Sequence, residues 1–302
     1  MDEVLPNLLL AGVAKAGTTS LFSYLIQHPD IWGPRQKELD YFTPLREPGT
    51  QLASLENYST HFHAGAGKRY RLDGSPSYAV GGAPVVAGIK AVLDRPRVII
   101  SLRDPVQRLW SAYTFANAAE NLGGVSSFDV FVAQCEEARA DGSDRRLGNR
   151  LMALSTGHYD EYLGAWLEAF GNDLRVVFAE DLSREPRDVL RDLFGWLGID
   201  TGVADNVDVS LRNRTVYARS PKLARAVYAA KALTGRTLER APALRRALRR
   251  LYGSVNTRSV EETMAPATRA KLEAHYREST ERTGHLLAMA GYERLPAWLR
   301  AE

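Results

Sequence analysis

Residues 8–21, Leu-Leu-Leu-Ala-Gly-Val-Ala-Lys-Ala-Gly-Thr-Thr-Ser-Leu, constrain what this chain can fold into more than any other stretch. The unbroken apolar run at its start reads as a strand covered on both faces, the situation of a parallel sheet. It enters a loop bracketed by Gly12 and Gly17 and carrying Lys15, and then a hydroxyl cluster, Thr18-Thr19-Ser20, that suits the start of a helix. Glycines let a backbone come close to an anion, successive N–H groups converge on it, and the first turn of the helix adds unpaired donors with a partial positive charge. The segment therefore predicts a phosphate cradle. Taken alone, the same residues also satisfy an ordinary strand-to-helix turn.

Gly12 and Gly17 keep the spacing of a nucleotide-binding P-loop, with Thr19 at its final hydroxyl position, but Thr18 stands where that motif requires lysine. Lys15 projects from the loop itself and suits a shorter 5′ group than a triphosphate. The loop predicts a nucleotide other than ATP.

A second segment, residues 97–113, reads Arg-Val-Ile-Ile-Ser-Leu-Arg-Asp-Pro-Val-Gln-Arg-Leu-Trp-Ser-Ala-Tyr. Val98 to Leu102 form a short β-branched strand, Asp104 suits a helix N-cap and Pro105 the first helical turn. Arg103 thus stands at the carboxyl end of a strand, where open α/β sheets bind ligands. With Ser111 it predicts a second anion site, with Arg108 and Tyr113 on the same wall. A local ion pair between Arg103 and Asp104 is the alternative.

Together the two segments resemble the sulfotransferases that use 3′-phosphoadenosine 5′-phosphosulfate (PAPS), especially the branch of the heparan sulfate N- and 3-O-sulfotransferases and their bacterial relatives. Lys15-Ala16-Gly17-Thr18-Thr19-Ser20-Leu21 matches that family's 5′-phosphosulfate loop, and Arg103-Asp104-Pro105 with Arg108, Ser111 and Tyr113 its 3′-phosphate motif. His28-Pro29-Asp30, Lys37-Glu38 with Tyr41-Phe42, and Ser75-Pro76-Ser77-Tyr78 recur in order, as does Leu295-Pro296-Ala297-Trp298-Leu299 near the end. The resemblance implies that Lys15, Ala16, Gly17, Thr18, Thr19, Ser20, Arg103 and Ser111 bind the donor, with Arg219 a further anion contact. It implies Glu38 as the base and Lys15 as the cation on the leaving group, with in-line transfer, no covalent enzyme intermediate and no metal. Without the family pattern, Glu38 reads as a surface carboxylate paired with Lys37 or Arg35. Asp73, Ser75, His61 and His63 are candidates for the acceptor side. Two departures stand out: Gly74 replaces the lysine that precedes the Ser-Pro-x-Tyr motif in the heparan enzymes, and a single cysteine, Cys135, rules out their disulfide-closed loop.

A chain of 302 residues with 45% hydrophobic content can bury a large core. Strands expected at 7–13, 69–73, 97–102 and 174–179 alternate with helices expected at 17–27, 83–93, 105–119, 127–138, 149–169 and 186–197. This predicts an α/β fold with a P-loop-like central parallel sheet flanked by helices, as one domain over 1–302. Residues 43–60 and 120–126 read as loops. The late, basic, mainly helical region 201–302 is expected to cover the cleft. Within it, Arg236 to Arg250 form an arginine-rich amphipathic stretch, for which a solvated helix face is preferred over a membrane surface.

The net charge of +3 does not argue for nucleic-acid binding. His61 and His63 lack partners at metal-ligand spacing, so no metal site is expected. With no apolar run of membrane-spanning length and no disulfide, the cytoplasm is the expected compartment. The acceptor is expected to be a small molecule, glycolipid or carbohydrate, taken at a hydroxyl in preference to an amine. Two other readings stay open: a P-loop phosphotransferase or kinase, and an inactive nucleotide- or glycan-binding relative.

Overall fold

Five parallel strands form the centre of the computed structural model, which describes residues 3–118, 125, 127–146, 150–210, 217–218, 257–258 and 264–300. They are β1 (Leu8–Gly12), β2 (Ile31–Trp32), β3 (Tyr70–Asp73), β4 (Arg97–Leu102) and β5 (Leu174–Phe178), in the order β2-β3-β1-β4-β5. The middle strand, β1, pairs Leu8 with Leu72 on one side and with Arg97 on the other.

Every residue of β1 is buried, because both faces of the sheet are covered. Side chains alternate across a strand, so Leu9 and Ala11 join one core and Leu8 and Leu10 the other. The Leu9 face packs on α3 (Gly82–Val92) and α6 (Asp160–Phe170), and the Leu8 face on α1 (Thr18–Leu25) and α8 (Pro186–Leu197). A third cluster joins α4 (Pro105–Ala118), α5 (Phe128–Ala140) and the late helix α9 (Pro266–Met289) through Leu109, Tyr113, Phe131 and Tyr276.

The expected α/β architecture is present, with four of the five strands at the expected positions. Two expectations need correction. The helix expected over 149–169 starts only at Asp160. The residues before it form short 3₁₀ turns, at the end of which Gly157 lies against the Tyr276 ring, where an added Cβ would come within 2.7 Å. The span 43–60 is not all loop: α2 (Leu55–Thr60) starts at Ser54, whose hydroxyl accepts the Asn57 N–H at 3.3 Å. The remaining helix, α7 (Ala179–Arg184), follows β5 directly. Arg219 and the stretch Arg236 to Arg250 lie outside the described residues.

The chain leaves β1 toward β2 and β3 on one side of the sheet, and leaves β4 toward β5 on the other. The carboxyl ends of β1 and β4 therefore flank a topological switch point, where such sheets open a crevice for ligands.

Candidate active site

Two loops meet at that crevice. The first, residues 13–17, leaves β1 and reaches the N-terminus of α1 at Gly17, which has φ 80° and serves as N-cap. A left-handed N-cap favours glycine, and it lets the loop turn directly into the helix. Gly12 is required for a different reason: a Cβ there would come within 2.5 Å of the Ala79 side chain and 2.9 Å of the Pro76 carbonyl. The loop is anchored by the Val13 N–H, which donates to the Ser101 carbonyl at 2.8 Å, and by the Ser101 hydroxyl, which donates to the Ala16 carbonyl at 2.6 Å. The first turn of α1, Thr18-Thr19-Ser20, then presents N–H groups that have no acceptor within the helix.

The second loop follows β4. Asp104 caps α4, its Oδ1 accepting the Val106 N–H at 2.8 Å and the Gln107 N–H at 3.1 Å. Its own N–H donates to Glu180 Oε1 at 2.9 Å. This cap fixes Arg103, whose carbonyl accepts the Tyr159 hydroxyl at 2.5 Å and whose guanidinium donates back to the Lys15 carbonyl at 3.2 Å. The alternative ion pair with Asp104 is not the observed contact. Ser111 lies two turns along α4, half-buried, with its carbonyl accepting the Thr114 hydroxyl at 3.2 Å. Arg108 and Tyr113 are buried: Arg108 donates to the Ala153 carbonyl while its charge is among those that lower Lys15, and Tyr113 packs among Trp110, Phe128 and Phe131.

The crevice is electropositive. Burial pushes the Lys15 ammonium down to about 8, the Arg103 charge pushes the same way, and Glu38 opposes both. The Lys15 ammonium sits 3.6 Å from the centre of the Phe115 ring, a cation–π contact to an exposed aromatic on α4. Burial likewise holds the Arg103 guanidinium below its usual value, against the pull of Glu180.

Glu38 approaches from the segment after β2. Its backbone is left-handed, at φ 65°, and its N–H donates to the Gly74 carbonyl at 3.1 Å, which ties this segment to the end of β3. Its carboxylate accepts from Lys37 Nζ at 3.1 Å, and the same ammonium reaches Thr19 Oγ1 at 3.4 Å. Glu38 is thus linked to the cradle through Lys37, a residue the sequence reading treated only as a partner of Glu38. Asp40 was also missed. It accepts from the Ser77 and Thr43 hydroxyls, while its N–H donates to Ser75 Oγ at 3.1 Å. Both residues belong to the short run 37–42, whose spacing alone does not tell which carboxylate points outward.

The other acceptor-side candidates separate. Asp73 is fully buried and accepts three hydroxyls: Tyr58 at 2.7 Å, Ser75 at 2.7 Å and Tyr78 at 2.8 Å. Burial nevertheless raises its carboxyl above the ordinary range. His63 is in contact with Ser59 at 3.1 Å, and Ser59 accepts the Val4 N–H. That position adjoins the segment entering β1, whereas the cradle follows the strand's other end. His61 ends α2, half-buried. Among the described residues no cluster of His, Cys, Asp and Glu has the make-up of a metal site, and no helix is long and apolar enough to cross a membrane.

The sequence profile of the sulfotransferase domain matches residues 5–284, spanning both loops and the Glu38 segment. The chain belongs to the sulfotransferase family. It is 25% identical over 210 residues to the bifunctional heparan sulfate N-deacetylase/N-sulfotransferase 1 of Caenorhabditis briggsae, a match covering 65% of this chain and 23% of that protein. It is 27% identical over 205 residues to the heparan sulfate glucosamine 3-O-sulfotransferase 3B1 of Mus musculus, covering 68% of this chain and 49% of that one. The matches thus span half or less of those relatives. A crystal structure of a sulfotransferase from Alicyclobacillus acidocaldarius shares the fold over 98% of this chain and 99% of its own, with a TM-score of 0.69 at 22% identity.

Proposed function

We propose that this sulfotransferase moves a sulfuryl group from PAPS to a hydroxyl of a small-molecule, glycolipid or carbohydrate acceptor. The observation that carries the reading is the convergence of Lys15 and Arg103 on one glycine-bracketed cradle at the switch point, with Thr18 where a kinase would need lysine. Lys15 and the N–H and hydroxyl groups of Gly17 to Ser20 hold the 5′-phosphosulfate. Arg103 and Ser111 hold the 3′-phosphate, and Arg219 adds an anion contact.

Glu38 takes the acceptor's proton as its oxygen attacks sulfur. The bond from sulfur to the bridging phosphate oxygen breaks, and its electron pair stays on the 5′-phosphate, where Lys15 neutralises the developing charge. No group on the enzyme is covalently modified, so acceleration comes from positioning and electrostatics. Two of the relatives are named as heparan sulfate sulfotransferases. A long polyanion is disfavoured here because the first 200 residues, which carry the cradle motifs, show no concentrated basic run; heparin-like turnover lost on charge reversal of Arg245 and Arg249 would overturn that. Cytoplasmic residence is part of the same proposal, resting on the single cysteine.

Calorimetry without magnesium tests the reading. Adenosine 3′,5′-bisphosphate, the product, is expected to bind at least tenfold more tightly than ATP. Tighter binding of ATP, or a magnesium requirement, would return the chain to the phosphotransferases.

A further inference from the structure

We infer that Lys37 is a second cation of the transfer site, donating to an oxygen of the sulfuryl group while it bridges the cradle to Glu38; this rests on the function proposed above. Lys37 and Glu38 are neighbours in sequence with very different surroundings. The Lys37 side chain is 16% exposed, whereas the Glu38 side chain is 54% exposed. A surface ion pair leaves both partners in water, and a lysine held only by such a pair gains little from the contact. Here the lysine stem is enclosed and its ammonium is directed at Thr19, on the first turn of the helix that caps the cradle.

The enclosure has an identifiable cause. Gly74 directly follows β3, and a Cβ built on it would come within 2.6 Å of the Phe22 ring and 3.4 Å of Lys37 Cε. The Phe22 ring therefore occupies the space into which a side chain at 74 would grow, and the lysine stem lies at contact distance beside that space. The Glu38 N–H bond to the Gly74 carbonyl fixes the lysine's segment against the end of that strand. An ammonium has three N–H donors in roughly tetrahedral array. Thr19 Oγ1 and Glu38 Oε1 take two of them, which leaves the third for a ligand oxygen at the cradle.

The local charge favours such a ligand. Lys15 lies near Glu38 and Arg103 near Glu180, and the positive charges of Arg103, Lys37 and Arg108 are all among the causes that depress Lys15. Two cations held close together in a half-buried crevice are mutually unfavourable until an anion lies between them. The product offers that anion only at its phosphates, whereas the donor extends one group further, toward Glu38. Lys37 is placed to read that extension, and to hold the sulfuryl oxygens while the acceptor oxygen bonds to sulfur and the phosphate oxygen departs with its electron pair.

The test needs no acceptor. Binding of PAPS and of adenosine 3′,5′-bisphosphate is measured by calorimetry on wild type, Lys37→Met and Lys37→Arg, with melting curves to verify folding. Loss of a charge-assisted contact to the sulfuryl group should weaken PAPS by about tenfold or more in Lys37→Met, with the bisphosphate within twofold of wild type. Lys37→Arg, which keeps the charge, should recover most of the PAPS affinity. Parallel weakening of both ligands would reduce Lys37 to a part of the cradle's shape and overturn the inference, as would unchanged binding of both. If wild type bound neither ligand, the proposed function itself would fall and this inference with it.

Discussion

Raising the pH should strip this enzyme of its grip on the 5′-phosphate. The Lys15 ammonium has been pushed down to about 8, chiefly by burial and then by Arg103, so in the free protein it loses its proton just above neutrality. The attraction of a bound dianion outweighs both influences, and the lysine in the complex should return to at least its ordinary value of about 10.4. Between those two values, binding must take up one proton, and affinity falls by nearly tenfold for each pH unit. At pH 7 the lysine is charged in both states and the effect is negligible. At pH 9.5 the dissociation constant of adenosine 3′,5′-bisphosphate should be about 30-fold higher, roughly 2 kcal/mol. The ligand's phosphates have second pKa values near 6 and are fully ionised throughout this window. Isothermal titration from pH 7 to 9.5, in buffers of different ionisation heat, reports both the affinity and the proton taken up. Lys15→Arg, which stays charged, should show a nearly flat profile. A flat wild-type profile, or an equal slope in Lys15→Arg, would refute the contact between Lys15 and the 5′ group.

Three further outcomes follow from the same geometry. Arg103→Ala should weaken the bisphosphate by about tenfold or more while leaving an analogue without the 3′-phosphate within threefold; equal losses for both would remove Arg103 from the 3′ site. Glu38→Gln should keep bisphosphate affinity and lower turnover by about 10²-fold, measured on any acceptor found by mass spectrometry of sulfated products, and near-normal turnover would exclude it as the base. His158 and His275 meet Nε2 to Nε2 at 3.1 Å, and burial pushes His158 down to about 3 and lowers His275 as well. Below pH 6.5 the unfolded chain binds protons that the folded one refuses, so stability should fall as pH drops from about 6.5 toward 3. His158→Phe should flatten that acid limb in urea melts, and an unchanged limb would assign the loss to other groups.

The parts of the site legible in the sequence are those whose chemistry is local. Gly12, Gly17 and the hydroxyls of 18–20 act within one strand–loop–helix unit, and Asp104 and Pro105 announce a helix start that the structure bears out with two capping bonds. What stayed hidden depends on distant segments meeting. Arg108 and Tyr113 share a helix with Ser111, and spacing alone put them on the ligand's wall. That they are also buried comes from α5 and α9, whose Phe131 and Tyr276 pack against α4. His28 read as no more than a helix stop before Pro29, yet its ring is buried 3.0 Å from the Asp200 carbonyl, 172 residues away. Lys37 is the instructive case. Beside Glu38 it looks like half of a surface ion pair, and that contact exists; what the sequence cannot express is that Gly74 and Phe22 wall in its stem and turn its ammonium to Thr19. Position 74 was legible as a missing lysine, and Lys37 only as a partner for Glu38. Only the segment after β3, lying against the segment after β2, brings the two positions to one place. If Lys37 supplies the charge that residue 74 lacks, Lys37→Met should lose PAPS affinity, and Gly74 by itself would then be no sign of an inactive relative; the small residue at 74 is required by the Phe22 ring.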